Sequence, residues 1–336
     1  MSRLVLVTGC TGNMGSYLTE ALLDRGDKVV GLIRRTSNAD YSRISSIIGH
    51  KNFSVVSGDI CDANCMTNLI SRYKFDLIHN TAAQSHVAES FIQPSYTWEA
   101  TGQSVLYMLE AIRNFSPHTR FITNSSSEMF GKNYSEDELG KFQDEKTELD
   151  SRSPYAIAKI AAHKAVGLYR DSYNLWAAGM ITFNMESPRR TNTFVTRKIT
   201  QYIGKLHNAI KNNKSIEKLK LGNIYSYRDW SYVPEIVEAY IKLSLLNKPV
   251  DLVVCSGETH SVAEFLEESF SLLELDWHDY VDIDESLKRP QEVDFLQGRA
   301  TRAKEILGWE PQVKFKELVK IMVENDIELE RAKQWS

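Results

Sequence analysis

The fold is decided near the start of the chain, by the stretch RLVLVTGCTGNMGSYL at residues 3–18. Its first half is an unbroken apolar run, which is typical of a strand buried on both faces of a parallel sheet. Gly9, Gly12 and Gly15 follow in a G-x-x-G-x-x-G frame, and a helical pattern comes next. Glycine also serves ordinary turns. Between a strand and a helix, however, it lets a pyrophosphate approach the free N–H groups of the helix start, which favours dinucleotide binding.

Strands and helices continue to alternate beyond this stretch. Further strands are predicted at KVVGLIRR, FSVVSGDI, FDLIHNTAA, RFITNSSSE and LWAAGMITF, with helices such as SVLYMLEAIRNF between them. This order predicts an α/β fold with a doubly wound parallel sheet of the Rossmann type. We expect residues 1–182 to form the cofactor-binding Rossmann domain, with a strand near 251–257 returning to its sheet. Residues 183–336 are expected to form mainly a smaller mixed α/β lobe that binds the substrate.

Composition excludes several classes of protein. The 336 residues are 42% hydrophobic and 25% charged, and the net charge is −4, so no basic field for nucleic acid or a membrane surface is expected. The apolar run at the N-terminus is too short for a signal peptide or a membrane span. Four unevenly spaced cysteines predict reduced thiols in a cytoplasmic protein, with neither disulfides nor a metal site.

The end of the second strand bears on the choice of cofactor. An NAD-dependent enzyme usually has an acidic residue here for the ribose hydroxyls, whereas this chain has Arg34 and Arg35, about twenty residues after the glycines. Arginine suits a 2′-phosphate and therefore NADP, although the pair could instead form a solvated basic turn. Asp59 closes the third strand and could accept a hydrogen bond from adenine. The helix that follows does not need Asp59 as its cap, because Asp62 can supply it.

A candidate reaction centre lies in SPYAIAK, residues 153–159. Tyr155 and Lys159 share one helix face, which is also common on ordinary surface helices. The preceding predicted strand ends in hydroxyls and a carboxylate, including Ser126 and Glu128, and the carboxyl ends of parallel strands face the ligand crevice. A hydroxyl, a tyrosine and a lysine together form a proton-transfer set, in which the ammonium lowers the tyrosine pKa so that the tyrosine can act as a base.

Glu128 distinguishes two kinds of reaction. An enzyme that only transfers hydride needs no carboxylate beside the substrate, and Glu128 could then be a solvated loop residue. An enzyme that makes a ketone and then eliminates water needs a base for the acidified C–H bond. The position of Glu128, two residues after Ser126, favours the second interpretation.

Several motifs together identify a family. TGCTGNMGSYL, GLIRRTS, NTAAQSHV, SSSEMFG, SPYAIAK, FNMESPRR, FVTRKIT and RPQEV closely resemble the GDP-mannose 4,6-dehydratases, within the extended short-chain dehydrogenase/reductase group. The resemblance runs from residue 3 to about 310. It implies that Tyr155 deprotonates the 4-hydroxyl while a hydride passes to NADP+, with Lys159 assisting and Ser126 holding the 4-oxygen. Glu128 would then remove the C5 proton, water would leave from C6, and the hydride would return to C6.

The resemblance also implies binding residues. Among the two arginines after the second strand, it favours Arg35 over Arg34. The implied NADP contacts are Gly9, Gly12, Asn13, Met14, Gly15, Arg34, Arg35, Asp59, Ile60, Ala82, Ala83, Gln84, Ser85, Tyr96, Lys159 and Arg190. The implied contacts to GDP-mannose or a related GDP-sugar are Ser85, Asn184, Glu186, Val195, Lys198, Leu221, Gly222, Arg228, Arg289 and Glu292.

The chain also departs from the family pattern. Asn13–Met14 replaces Gln-Asp, Thr101 replaces Asp or Asn, and Met185 replaces histidine; RDWG has become RDWS, and the acidic segment 132–147 is longer than usual. These changes leave open another GDP-sugar, such as a GDP-manno-heptose, or a GDP-4-keto-sugar reductase or epimerase. Family members form tetramers in which the loop after the two arginines reaches a neighbouring cofactor site. A homo-oligomer is therefore expected, with a tetramer favoured over a dimer.

Overall fold

The computed structural model describes residues 2–37, 40–287 and 291–333. The strands are β1 Leu4–Thr8, β2 Lys28–Ile33, β3 Phe53–Ser57, β4 Leu77–Asn80, β5 Arg120–Ser126, β6 Ser135–Asp137, β7 Gly140–Phe142, β8 Ala177–Thr182, β9 Asn184–Glu186, β10 Leu219–Leu221, β11 Tyr227–Arg228, β12 Trp230–Tyr232, β13 Leu252–Val254, β14 His260–Ser261 and β15 Val281–Ile283. The helices are α1 Asn13–Asp24, α2 Ala63–Tyr73, α3 Val87–Ile92, α4 Pro94–Thr97, α5 Ser104–Phe115, α6 Pro154–Tyr173, α7 Val195–Lys211, α8 Val233–Ser244, α9 Val262–Ser271, α10 Thr301–Leu307 and α11 Phe315–Ala332. A π-helical segment, Trp98–Gln103, joins α4 to α5.

A parallel sheet of seven strands forms the centre of the molecule, in the order β3-β2-β1-β4-β5-β8-β13. The order reverses direction at β1, so the crevice above the carboxyl ends of β1 and β4 is the switch point where ligands bind in such sheets. The predicted α/β fold with a doubly wound parallel sheet is therefore confirmed. The division into two units at residues 182 and 183 stays a prediction.

Helices cover both faces of the sheet, which explains the continuous apolar sequence of its strands. Val5 and Val7 pack with α1 and α8 on one face. Leu6, between them, packs with α2, α5 and α6 on the other. Because helices cover both faces of such a strand, neither face is exposed to solvent. The strand sequence therefore does not alternate between polar and apolar residues.

A separate apolar core holds the helices of the smaller lobe together. Ile199 of α7, Phe265 of α9 and Met322 of α11 belong to it. Helices α7 and α11 approach closely at Gly204, where an added Cβ would lie 2.6 Å from the carbonyl oxygen of Asp326. This core packs α9 and α11 against α7, whose first turn carries two of the predicted substrate contacts.

The acidic segment 132–147 forms the β6–β7 hairpin beside the edge strand β13. The carboxylate of Glu145 accepts a hydrogen bond from the backbone N–H of Val253, 2.8 Å away. The amide of Gln143, which is fully buried, pairs with the backbone of Gln297 at 2.9 Å. The segment thus covers a sheet edge. None of its residues, all of which the structure describes, is among those that line the active-site cleft.

Candidate active site

A cleft of about 460 Å³ opens above the carboxyl ends of the central strands. It is lined by the glycine loop, by the ends of β2, β4 and β5, by the start of α6 and by the segment 182–194. One side therefore belongs to the sheet and the other to the segment that leads into the smaller lobe. The arrangement fits two ligands lying end to end, one on each side.

The glycine loop is built to hold an anion. The N–H of Gly12 donates to the carbonyl of Gly9 at 2.8 Å, and Gly9 has a φ of +70°, a conformation that favours glycine. A Cβ added at Gly15 would lie 2.1 Å from the Gly9 oxygen, so the turn closes only with glycine there. Gly12 is the N-cap of α1, and no described side chain caps this helix start. Its N–H groups and helix dipole therefore suit a pyrophosphate.

The far end of the cleft is lined by Arg34, Asp59, Ile60 and Tyr96. The guanidinium of Arg34 donates to the Tyr96 hydroxyl at 2.6 Å, which links the end of β2 to α4. Arg35 is exposed and lies outside the described lining. The geometry thus brings Arg34 to this end of the cleft, and which of the two arginines contacts the cofactor stays a prediction.

The four predicted reaction residues all line the cleft: Ser126, Glu128, Tyr155 and Lys159. Helix α6 begins at Pro154 after the Ser153 cap, whose hydroxyl accepts the N–H of Ala156 at 3.0 Å, so Tyr155 is fixed in the first turn. The Ser126 hydroxyl accepts the backbone N–H of Glu128 at 3.2 Å. This contact forms a short 3-10 turn, Ser127–Phe130, that presents the Glu128 carboxylate to the cleft.

Burial dominates the protonation of the tyrosine and the lysine. It raises the pKa of Tyr155 to about 12, the hydrogen bond with Ser126 opposes that rise, and the Glu128 charge adds to it. Burial lowers the pKa of Lys159 to about 8. The Lys159 ammonium lies 5.8 Å from the centre of the Tyr155 ring and donates to the Asn124 carbonyl at 2.6 Å. Burial therefore sets the direction of the Tyr155 pKa shift in this structure, and a lowering of that pKa by Lys159 stays a prediction.

Solved structures with the same fold were found at low sequence identity. A dTDP-glucose 4,6-dehydratase from Bacillus anthracis in complex with NAD aligns with a TM-score of 0.81 at 21% identity, over 99% of this chain and 98% of that one. RMD from Pseudomonas aeruginosa, complexed with NADPH, aligns with a TM-score of 0.76 at 20% identity, over 98% and 100% of the two chains. These likenesses establish the fold.

Sequence comparison decides the family. A family profile described as GDP-mannose 4,6 dehydratase matches residues 6–322. The chain belongs to the GDP-mannose 4,6-dehydratase family. One relative, GDP-mannose 4,6 dehydratase 2 of Arabidopsis thaliana, is 44% identical over 337 aligned residues, which cover 97% of this chain and 87% of the relative. The resemblance inferred from the motifs is confirmed.

The cleft gathers most of the binding residues that the family resemblance implied. Those in its lining are Gly9, Gly12, Asn13, Met14, Gly15, Arg34, Asp59, Ile60, Ala82, Ala83, Ser85, Tyr96, Lys159, Asn184, Arg190 and Arg228. Those outside its described lining are Arg35, Gln84, Glu186, Val195, Lys198, Leu221, Gly222 and Glu292. Arg289 lies outside the described residues. The individual binding roles stay predictions.

Some residues outside the lining support residues inside it. Glu186 is buried, and its carboxylate accepts from Thr196 at 2.7 Å and pairs with Arg190 at 3.4 Å. Glu292 pairs with Arg228 at 3.6 Å. These two carboxylates therefore orient cleft arginines. Lys198 is exposed on α7.

Three departures from the family pattern also occupy positions in or beside the cleft. The sulfur of Met14 accepts from the Asn124 amide at 3.3 Å, and Met185 lines the cleft close to the glycine loop. Thr101 is buried in the π-helical segment and donates to the carbonyl of Gln84 at 3.1 Å. The structure thus accommodates all three without changing the four reaction residues.

Sequence reasoning missed residues that act through the backbone or through long-range contacts. Asn124 binds Lys159 through its carbonyl oxygen, which any residue type has, so its identity gave no signal. Asp229 is fully buried and accepts the backbone N–H groups of Ser256, Gly257 and Gly298 at 2.8 to 3.1 Å, thereby anchoring the neighbouring Arg228. Its position in the RDW motif was the available signal.

Proposed function

We propose that the protein converts GDP-mannose to GDP-4-keto-6-deoxy-mannose with NADP as cofactor, acting as a lyase. The observation that carries this proposal is the placement of the Glu128 carboxylate in the same cleft as Ser126, Tyr155 and Lys159. A tyrosine and a lysine suffice for hydride transfer, whereas loss of water next to a ketone also needs a base. The membership of the chain in the GDP-mannose 4,6-dehydratase family supports the same assignment.

The proposed reaction starts with proton removal. Tyr155 takes the proton of the 4-hydroxyl while Ser126 donates a hydrogen bond to the 4-oxygen. When bound, the nicotinamide cofactor supplies the hydride acceptor for C4 and later the hydride donor for C6. Because burial raises the pKa of Tyr155 to about 12, the tyrosine has to lose its own proton before it can act as this base. The neighbouring Lys159 has a pKa of about 8, so near neutral pH it exchanges protons more readily than Tyr155 does.

Elimination follows in the same cleft. The new C4 ketone acidifies the C5–H bond, and Glu128 removes that proton. Of the two protons removed, from the 4-hydroxyl and from C5, one leaves with the C6 hydroxyl as water. The other returns to C5 when hydride addition at C6 completes the 6-deoxy sugar. Because the cofactor begins and ends oxidised, the net reaction is a dehydration.

The test is to incubate the purified protein with GDP-mannose and a substoichiometric amount of NADP+. The proposal expects complete conversion to a product lighter by one water, with no net change in the reduced-nicotinamide absorbance. A GDP-4-keto-sugar reductase would instead consume NADPH in proportion to product. Running the same reaction with a GDP-manno-heptose determines which sugar is preferred.

The preference for NADP over NAD rests on Arg34. Its guanidinium lines the end of the cleft where the second strand stops, and Tyr96 fixes its direction. A guanidinium can bind a phosphate with two parallel hydrogen bonds, which a ribose hydroxyl cannot match. The glycine loop thus suits the pyrophosphate of NADP, and Arg34 suits its 2′-phosphate.

We also propose that the protein forms a homo-oligomer, with a tetramer favoured over a dimer. Helices α5 and α6 pack side by side and expose apolar side chains outward, among them Phe115 at 47%, Ile157 at 50% and Leu168 at 59% exposure. A second copy of the same helix pair would cover them.

A cytoplasmic location is proposed from the four free cysteine thiols. In the described ranges, no helix is long and apolar enough to cross a bilayer.

A further inference from the structure

Both polar atoms of the Asn13 side chain form hydrogen bonds with the segment at residues 185–187. Its amide nitrogen donates to the carbonyl of Met185 at 3.0 Å, and its amide oxygen accepts the Ser187 hydroxyl at 2.5 Å. The same Ser187 hydroxyl accepts the backbone N–H of Arg189 at 3.0 Å. Asn13 therefore ties the turn that would hold the pyrophosphate to a segment 172 residues away in the sequence.

Arg189 makes a second connection between the same two regions. Its guanidinium forms two contacts of 2.9 Å with the Glu20 carboxylate and one of 3.2 Å with the Ser16 hydroxyl, both on α1. It also lies 4.0 Å from the centre of the Tyr17 ring. This bidentate pairing holds the segment against the helix that the glycine loop opens.

Arg43 makes a third connection between the glycine loop and the segment that contains Arg189. Its guanidinium donates to the carbonyl of Arg189 at 2.8 Å and to the carbonyl of Thr11, inside the glycine loop, at 3.3 Å. The family resemblance implied that the loop containing Arg43 reaches a neighbouring subunit. In this structure the Arg43 side chain binds the cofactor loop of its own chain, and the contact with a neighbouring subunit stays a prediction.

The connected segment carries residues that line the other side of the cleft. Met185 and Arg190 both do so, and Asn184 precedes them on β9. The hydrogen bonds and ion pairs described above therefore form a continuous path from the glycine loop to the substrate side of the cleft. Where binding at one site changes the affinity at another, the change is equal in both directions.

We propose that Asn13 and Arg189 are positioning residues that couple cofactor binding to nucleotide binding on the substrate side. Cofactor binding at the glycine loop then fixes the segment 184–190 in the position that binds the GDP half of the substrate. The proposal rests on the proposed function for the identity of the two ligands. It assigns to Asn13 a role distinct from direct contact with NADP.

The experiment measures the dissociation constant of GDP by calorimetry, without and with saturating NADP+. GDP is the probe because it lacks the sugar and so cannot touch the nicotinamide, which leaves the protein as the connection. We expect NADP+ to tighten GDP binding at least about 5-fold in the wild-type protein. In Asn13→Ala and Arg189→Ala the ratio of the two constants should fall close to one, although each protein still binds both ligands.

Matched controls separate coupling from general damage. Arg113→Ala removes a guanidinium that pairs with Glu110 on α5, away from the cleft, and should keep the wild-type ratio. Arg189→Lys retains the charge beside Glu20 but not the two-point pairing. Its ratio of GDP dissociation constants, without and with NADP+, should lie between those of Arg189→Ala and the wild type. If the wild-type ratio is already one, or if both alanine variants keep it, the coupling proposal is overturned. If the wild-type protein binds neither GDP nor NADP+, the proposed function itself fails.

Discussion

Replacing Lys159 with methionine should abolish catalysis and at the same time stabilise the fold at neutral pH. The Lys159 side chain is 5% exposed, and burial lowers its pKa from 10.5 to about 8. Since a tenfold change in proton affinity corresponds to about 1.4 kcal/mol, burying the charged ammonium costs about 3 kcal/mol. Removing the hydrogen bond to the Asn124 carbonyl returns about 1 kcal/mol of that. The expected net gain is about 2 kcal/mol.

The pH dependence of this gain has a definite sign. Below pH 8 both the folded and the unfolded wild-type protein carry the charged lysine, so the full cost is present. As pH rises from 8 to 10.5, the folded protein loses this proton before the unfolded protein does, and the wild type becomes more stable relative to the variant. The advantage of Lys159→Met should therefore shrink by about 2 kcal/mol between pH 7 and pH 10.

The assay is urea unfolding of the cofactor-free protein at both pH values, with enzyme turnover measured in parallel. Lys320→Met is the matched control, because that lysine is largely exposed on α11 and its replacement should change stability little at either pH. A Lys159→Met variant that is destabilised to the same degree at pH 7 and pH 10 would show that the ammonium is well solvated or paired. The burial argument would then be refuted.

Four further substitutions have expected outcomes. Glu128→Gln should bind NADP+ as tightly as the wild type yet form no dehydrated product by mass spectrometry, and normal product formation would refute its role as the base. Arg34→Ala should weaken NADP+ binding about 10- to 100-fold in a fluorescence titration while leaving NAD+ binding nearly unchanged. Arg35→Ala should have the smaller effect on NADP+, and a reversed order would contradict the assignment drawn from the cleft. Leu168→Glu should shift the light-scattering mass toward smaller species, and an unchanged mass would place the subunit contact elsewhere.

The sequence was informative wherever function depends on residue type at a fixed position. The run at residues 3–18 predicted the first strand, the anion cradle and the first helix, because each has a distinct pattern. The spacing of Tyr155 and Lys159 predicted their shared helix face. Such signals are local, so they survive without knowledge of the folded chain.

What the sequence did not predict depends on contacts between distant segments. The burial that raises the pKa of Tyr155 comes from packing around the cleft, which the spacing of Tyr155 and Lys159 does not reveal. The choice between Arg34 and Arg35 depends on which side chain turns toward Tyr96. The use of Asn13 to hold the backbone of Met185 joins residues that no local pattern could have paired.

The most direct test follows the hydrogen on C4 of the sugar. The purified protein is incubated with GDP-mannose carrying deuterium at C4 and a substoichiometric amount of NADP+, and the product is analysed by NMR. If oxidation, water loss and reduction occur in one cleft around Glu128 and Tyr155, the deuterium is found at C6 of the 6-deoxy product. A dehydrated product without deuterium at C6, or recovery of the starting sugar unchanged, would contradict the account.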